Sequence, residues 1–203
     1  VKTGAVLAMV NAPSYNPNNR ADLQSFKMRN RVITDAFEPG STVKPFVVLA
    51  ALENGTVDAD TVIDTGNGIM QIGGSRVRDS SKVGKADLAL ILKKSSNIGV
   101  AKLALNMPLE ALLGMYSSVG LGEMSGLNLV GETSGIFPNR RRWSKFEIAT
   151  LAFGYGLAIT PLQLAHAYAT LANKGVYEPI HIIKRNDQDF SKQIIKRENA
   201  ELV

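Results

Sequence analysis

Apolar residues in this chain come in blocks of different kinds. Residues 5–10 form a short unbroken apolar run between Gly4 and Asn11-Ala12-Pro13, the pattern of a buried strand. Residues 11–19, rich in Asn and Pro, read as a turn-dominated loop. Residues 46–52 are apolar on every side, which predicts a helix buried in the middle of a domain rather than one lying on its surface. That helix is expected to run over 41–52, with Gly40 or Ser41 as N-terminal cap, Pro45 near the end of the first turn and Gly55 as C-terminal cap. Short β-prone runs separated by glycine pairs predict small strands at 61–63, 69–72 and 76–77. Helical patterns return over 86–94, 98–106 and 108–119. Thr160-Pro161 opens a further helix that Gly175 stops. Residues 177–184 read as a strand and the charged last residues as helix-prone, so the chain belongs to the α+β class.

Composition narrows the setting. With 203 residues, 45% hydrophobic and 20% charged, the chain can bury the core of one globular domain. No uncharged apolar run reaches the roughly 18–20 residues that span a bilayer, and the first residues are not a signal peptide. Any anchoring segment is therefore expected outside this sequence. Cysteine is absent, which removes disulfides and thiolate chemistry without placing the chain in a compartment. The net charge of +5 is a solubility feature, and nucleic acid is not an expected partner.

Two polar elements interrupt the apolar pattern. Of the serines, only Ser41 has a lysine three residues on, and in a helix such a pair shares one face. A serine hydroxyl is a weak nucleophile until a base takes its proton, and Lys44 can be that base if burial lowers its pKa. The helix N-terminus adds donors for developing negative charge. On its own, the spacing equally fits a capping serine followed by a surface lysine. Ser95-Ser96-Asn97 is the second element, between two predicted helices. There Ser95 can pass on a proton and Asn97 can hold an amide. Ser14-Tyr15-Asn16 has the same spacing but lies in the Pro/Asn-rich loop and reads as turn chemistry.

S-x-x-K followed by S-x-N belongs to the signature of β-lactamases and penicillin-binding proteins. The chain resembles the transpeptidase domain of the class B penicillin-binding proteins, most of all the division-specific members of Gram-negative bacteria. The likeness runs through residues 4–19 (GAVLAMVNAPSYNPNN), Asn30-Arg31, 38–45 (EPGSTVKP), 94–99 (KSSNIG) and 153–175 (FGYGLAITPLQLAHAYATLANKG). It implies a penicillin-recognising serine-transferase fold, an antiparallel sheet flanked by helices plus a mostly helical subdomain. Residues 1–203 would be a partial transpeptidase domain. Within it, 1–60 and 145–203 would be the sheet-associated part, and 61–144 the mainly helical subdomain with the S-x-N loop.

The resemblance further implies a peptidoglycan D,D-transpeptidase of septal cell-wall synthesis. Ser41 would attack the carbonyl of a D-Ala-D-Ala stem peptide with Lys44 as general base. Ser95 would relay the proton to the leaving amine, Asn97 would hold the substrate amide, and the amine of a second stem peptide would complete the cross-link. β-Lactams would acylate Ser41. No cofactor and no metal are expected. The setting implied is the periplasmic face of the inner membrane, reached through an N-terminal anchor outside these residues, with divisome membrane proteins as partners.

In that family a K-[ST]-G triplet lies on an edge strand well after S-x-N. The Lys-Thr-Gly present here, Lys2-Thr3-Gly4, precedes the nucleophile and reads as a turn into the first strand. None follows Asn97, so the C-terminal strands and the K-[ST]-G edge strand are expected to be missing, and the 203-residue chain alone to be inactive. Two alternatives remain. One is a β-lactamase, against which stand the lack of E-x-x-L-N and Ser96 where Asp is common, although class D enzymes escape the first test. The other is a non-catalytic β-lactam sensor or divisome scaffold of the same fold. His166 and His181 read as structural, and Arg140-Arg141-Arg142-Trp143 as a solvated loop.

Overall fold

The most buried piece of the molecule is the helix that follows Ser41. In the computed structural model, which describes residues 1–19, 21, 23–184 and 190–203, two one-turn helices come first, α1 (Ser25–Met28) and α2 (Arg31–Thr34). A 3-10 turn over Gly40–Val43 leads into α3 (Lys44–Glu53). Eight of the ten residues of α3 are buried. Val47 and Val48 are mediocre helix formers, so burial holds this helix together more than propensity does. Each fully buried Val, Leu or Phe contributes about 1.5–3 kcal/mol relative to exposure. The helix ends as its sequence demands: Gly55 has φ +70°, its N–H donates to Leu52 O, and Thr56 N–H donates to Ala51 O.

Next come β1 (Val62–Asp64), β2 (Ile69–Ile72), β3 (Ser75–Arg78) and β4 (Lys85–Asp87). β2 and β3 form a hairpin across Gly73-Gly74, and β1 pairs with β4. The helical series follows, with α4 (Leu88–Lys93), α5 (Asn97–Asn106), α6 (Leu109–Ser118), α7 (Lys145–Ala152) and α8 (Pro161–Ala172). β5 (Val176–Tyr177), β6 (Lys192–Gln193) and α9 (Arg197–Leu202) complete the order. α3 packs against α5, α6 and α9, and α5 against α7. Phe46, Leu49, Leu103, Leu112 and Tyr116 share one core. The buried Tyr116 hydroxyl donates to Leu151 O at 3.1 Å, so the aromatic ring enters the core with its polar end paired. Every strand pair among the described residues is antiparallel and two-stranded, and helices dominate, in keeping with an α+β chain.

Three expectations are corrected. Residues 5–10 form no buried strand: only Ala5 bridges to His181, while Leu7 is 94% and Val10 82% exposed. An extended segment buries apolar side chains only against a neighbour, and among the described residues His181 alone pairs with it. The strand expected at 177–184 is reduced to Val176–Tyr177, paired with Lys192–Gln193, which had no strand signal. The helix expected over 41–52 starts as an α-helix only at Lys44. α7 had not been foreseen, although Ser144 and Glu147 form the capping box that the sequence spells out. Among the described residues no single helix is long and apolar enough to cross a membrane.

Candidate active site

Ser41 is exposed in the 3-10 turn at the mouth of α3. Side chains at i and i+3 eclipse in a 3-10 helix, and the Lys44 N–H donates to Ser41 O, so Ser41 and Lys44 share one face. The approach to this turn is zipped to a distant segment. Phe37 exchanges two backbone hydrogen bonds with Ile159, Gly40 N–H donates to Gly154 O at 3.1 Å, and Gly156 N–H donates to Glu38 Oε1 at 3.0 Å. Gly154 has φ +86°, and a Cβ there would strike the Gly40 backbone. Gly154→Ala is therefore expected to destabilise the fold by about 2 kcal/mol or more and to slow any reaction at Ser41. Thermal denaturation and acylation rates measured on the same variant check both effects.

The second wall is the link between α4 and α5. Ser95 sits in the left-handed region at φ +53°, where glycine is usual. Ser95 N–H donates to Leu92 O and Ser96 N–H to Ile91 O, which is the Schellman pattern closing α4. Left-handed backbone at a non-glycine residue costs about 1–2 kcal/mol, and here it keeps a hydroxyl where glycine would have none. Ser96, 1% exposed, caps α5 by accepting from Gly99 N–H at 2.9 Å.

These elements meet at Lys44. The side chain is 2% exposed, and Nζ donates to Ser95 O at 2.5 Å and to Asn97 Oδ1 at 2.7 Å, with Ser95 Oγ at 3.0 Å. The two carbonyl-type oxygens accept only, so they take two N–H groups in either protonation state. The third position faces the Ser95 hydroxyl, which accepts from an ammonium or donates to a neutral amine. Lys44 can thus lose a proton without stranding a donor. Burial lowers its pKa to about 8, with the negative charge of Asp79 partly offsetting the effect. At pH 7 roughly one amine in ten is then neutral, against about one in three thousand for an ordinary lysine. Ser41, Thr42, Lys44, Pro45, Leu92, Ser95 and Tyr168 line one cleft of about 320 Å³. Across it, the Tyr168 hydroxyl donates to Thr42 O at 2.8 Å and so steadies the serine-bearing turn.

A family model described as the penicillin binding protein transpeptidase domain matches residues 1–203. The chain belongs to that family. As a penicillin-binding protein transpeptidase sequence it is 52% identical over 184 residues to peptidoglycan D,D-transpeptidase FtsI of Escherichia coli K12, covering 91% of this chain and 31% of that protein. It is 39% identical over 199 residues to the probable peptidoglycan D,D-transpeptidase PenA of Neisseria meningitidis, covering 98% and 34%. Among solved structures it is similar to the transpeptidase domain of Burkholderia pseudomallei penicillin-binding protein 3, with TM-score 0.87, 35% identity and coverage of 99% of this chain and 57% of that one. It is also similar to a peptidoglycan glycosyltransferase from Burkholderia ambifaria, with TM-score 0.88, 36% identity and coverage of 99% and 60%. The chain spans about a third of the length of the curated relatives it matches.

Of the four residues singled out beforehand, Lys44 touches both Ser95 and Asn97, and Ser41 shares the cleft with Lys44 and Ser95. Lys2-Thr3 forms a turn, the Gly4 carbonyl accepts from His181 N–H, and none of the three lines this cleft. His166 is buried against Tyr177 with Nε2 2.8 Å from Glu178 O, and burial lowers its pKa. Sequence reasoning missed Asp79, which binds Ser96 Oγ and the Ile98 N–H. An Asp just past a short strand reads as turn chemistry, and nothing local marks its distant partners.

Proposed function

We propose that this chain carries the acyl-transfer centre of a peptidoglycan D,D-transpeptidase that cross-links stem peptides in septal cell-wall synthesis. The observation behind this reading is the convergence of the buried Lys44 amine on Ser95 and Asn97 beside the exposed Ser41. In the proposed cycle neutral Lys44 takes the Ser41 proton while Oγ attacks the carbonyl of the penultimate D-Ala. The C–N bond to the terminal D-Ala breaks, and the proton reaches the leaving amine through Ser95 Oγ. An ester on Ser41 remains. The amine of a second stem peptide attacks it, the ester C–O bond breaks, and Ser41 recovers its proton. The Ser41 backbone N–H serves as one oxyanion donor and Asn97 as the amide-holding residue.

In this reading 61–144 is the side bearing the S-x-N loop, and 1–60 with 145–203 the side bearing the nucleophile. β-Lactams mimic the peptide and acylate Ser41. The reaction belongs on the periplasmic face of the inner membrane, among divisome membrane proteins, a setting supported by the relatives named FtsI.

Incubating the intact enzyme with a D-Ala-D-Ala stem peptide and an amine acceptor, followed by mass spectrometry, tests the proposal. Released D-Ala together with a transferred product, and a lasting penicillin adduct, are expected. Hydrolysed peptide without transfer, with rapid penicillin turnover, would identify a hydrolase instead. Neither D-Ala release nor an adduct would leave a scaffold.

A further inference from the structure

The Ser95-Ser96-Asn97 link holds a strained residue beside a buried amine, and its conformation has to be imposed from outside. What grips it is the end of β3. Asp79 Oδ2 accepts from Ser96 Oγ at 2.6 Å and Asp79 Oδ1 accepts from Ile98 N–H at 2.9 Å, so both carboxylate oxygens are engaged. Next to it, Arg78 O accepts from Asn97 Nδ2 at 2.9 Å, which turns Asn97 Oδ1 toward Lys44. Two neighbouring residues thus bind three successive residues, Ser96, Asn97 and Ile98, where the link enters α5. A negative charge at the first turn of α5 also matches the positive end of that ten-residue helix.

We infer that Asp79 is a positioning residue for acylation: by holding Ser96 Oγ and the Ile98 N–H it sets where Ser95 and Asn97 meet the Lys44 amine. The inference rests on the roles proposed above for Ser41 and Lys44. Asp79 touches no substrate atom in this scheme and acts through the link.

Its charge supplies a second handle. Facing Lys44 are Ser95 and Asn97 from the α4–α5 link and Tyr168 from α8. These are neutral, burial raising the Tyr168 pKa, whereas Asp79 favours the protonated amine. Arg78, Lys93 and Lys94 are exposed and screened by solvent. Removing the Asp79 charge therefore moves the alkaline rise of acylation, the limb reporting neutral Lys44, to lower pH. A carboxylate that merely capped α5 would exert the same field, so the limb reads the charge of Asp79 while the plateau reads its hold on the link.

The test is the rate of acylation of the intact enzyme by a fluorescent penicillin from neutral to alkaline pH, with thermal denaturation in parallel. For Asp79→Asn the plateau is expected to fall roughly ten- to a hundredfold, the loss typical of hydrogen bonds to a charged group, and the limb to shift to lower pH. Ser96→Ala keeps the charge and cuts one tie, so its plateau should fall while its limb stays. A parental plateau in folded Asp79→Asn would overturn the inference. Where neither Asp79→Asn nor Asp79→Ser folds, Ser96→Ala decides: a lowered plateau supports the role, and the parental rate defeats it. Labelling of the parent keeps the two proposals apart. A parent that does not label defeats the acyl-enzyme reading, whereas normal parental labelling with an undiminished plateau in Asp79→Asn defeats only the part assigned to Asp79.

Discussion

Replacing Ser41 by alanine is expected to abolish the covalent penicillin adduct while leaving the fold intact. Ser41 is exposed, and the three hydrogen bonds of Lys44 Nζ go to Ser95 and Asn97 rather than to it. Removing an exposed hydroxyl changes stability by no more than about 0.5 kcal/mol. The loss of the attacking oxygen, in contrast, removes the acyl-enzyme altogether. Comparable deletion of a serine nucleophile in a well-studied hydrolase costs about 10⁶-fold in rate. Intact-mass measurement after incubation with penicillin should show the parent heavier by one ligand and Ser41→Ala unchanged, with coincident melting curves. An adduct of undiminished stoichiometry on Ser41→Ala would move the nucleophile elsewhere.

Lys44→Arg should reduce acylation by about 10² to 10⁴-fold, the usual contribution of a positioned general base. The motive is the combination of burial and pKa. Lys44 is nearly inaccessible, and desolvation brings its amine to a pKa of about 8, within reach of working pH. Arginine keeps the positive charge but is not deprotonated in proteins, so it can satisfy Ser95 O and Asn97 Oδ1 without accepting a proton. For the parent, the sign follows from the same value. The neutral amine is the active form, so acylation rises with pH through about 8 and then levels off. The variant should show no such rise. Stopped-flow acylation across pH, with a check that Lys44→Arg still melts cooperatively, measures both. Near-parental rates with Lys44→Arg would reduce Lys44 to a structural cation.

Much of this was legible along the chain because it is local. The all-apolar run at 46–52 announces a helix that must be buried, and Gly55 with its positive φ ends it where a residue with Cβ would be strained. Thr160 and Gln163 close a capping box over one turn of α8, a pattern that needs nothing beyond its own segment. The Ser41–Lys44 spacing and the Ser95–Asn97 spacing are likewise local, and they carried the family resemblance. Extended segments were misread for the opposite reason. Residues 5–10 and 177–184 are strand-like in composition, but a strand is stable only with a partner, and pairing is not encoded in the segment itself.

Tertiary structure alone decided what surrounds the amine. That Lys44 would be buried, with its Nζ against Ser95 and Asn97, depends on α3 meeting the α4–α5 link across more than fifty residues of chain. That Ser95 would take a left-handed backbone contradicts its own preference and is enforced by the Schellman closure of α4 and the grip of Asp79 on its neighbours. The sequence by itself determined which side chains could do acid–base chemistry and where the buried helix lies. Packing decided their separations, and desolvation, a property of the enclosing volume rather than of any residue, decided that this lysine can be neutral.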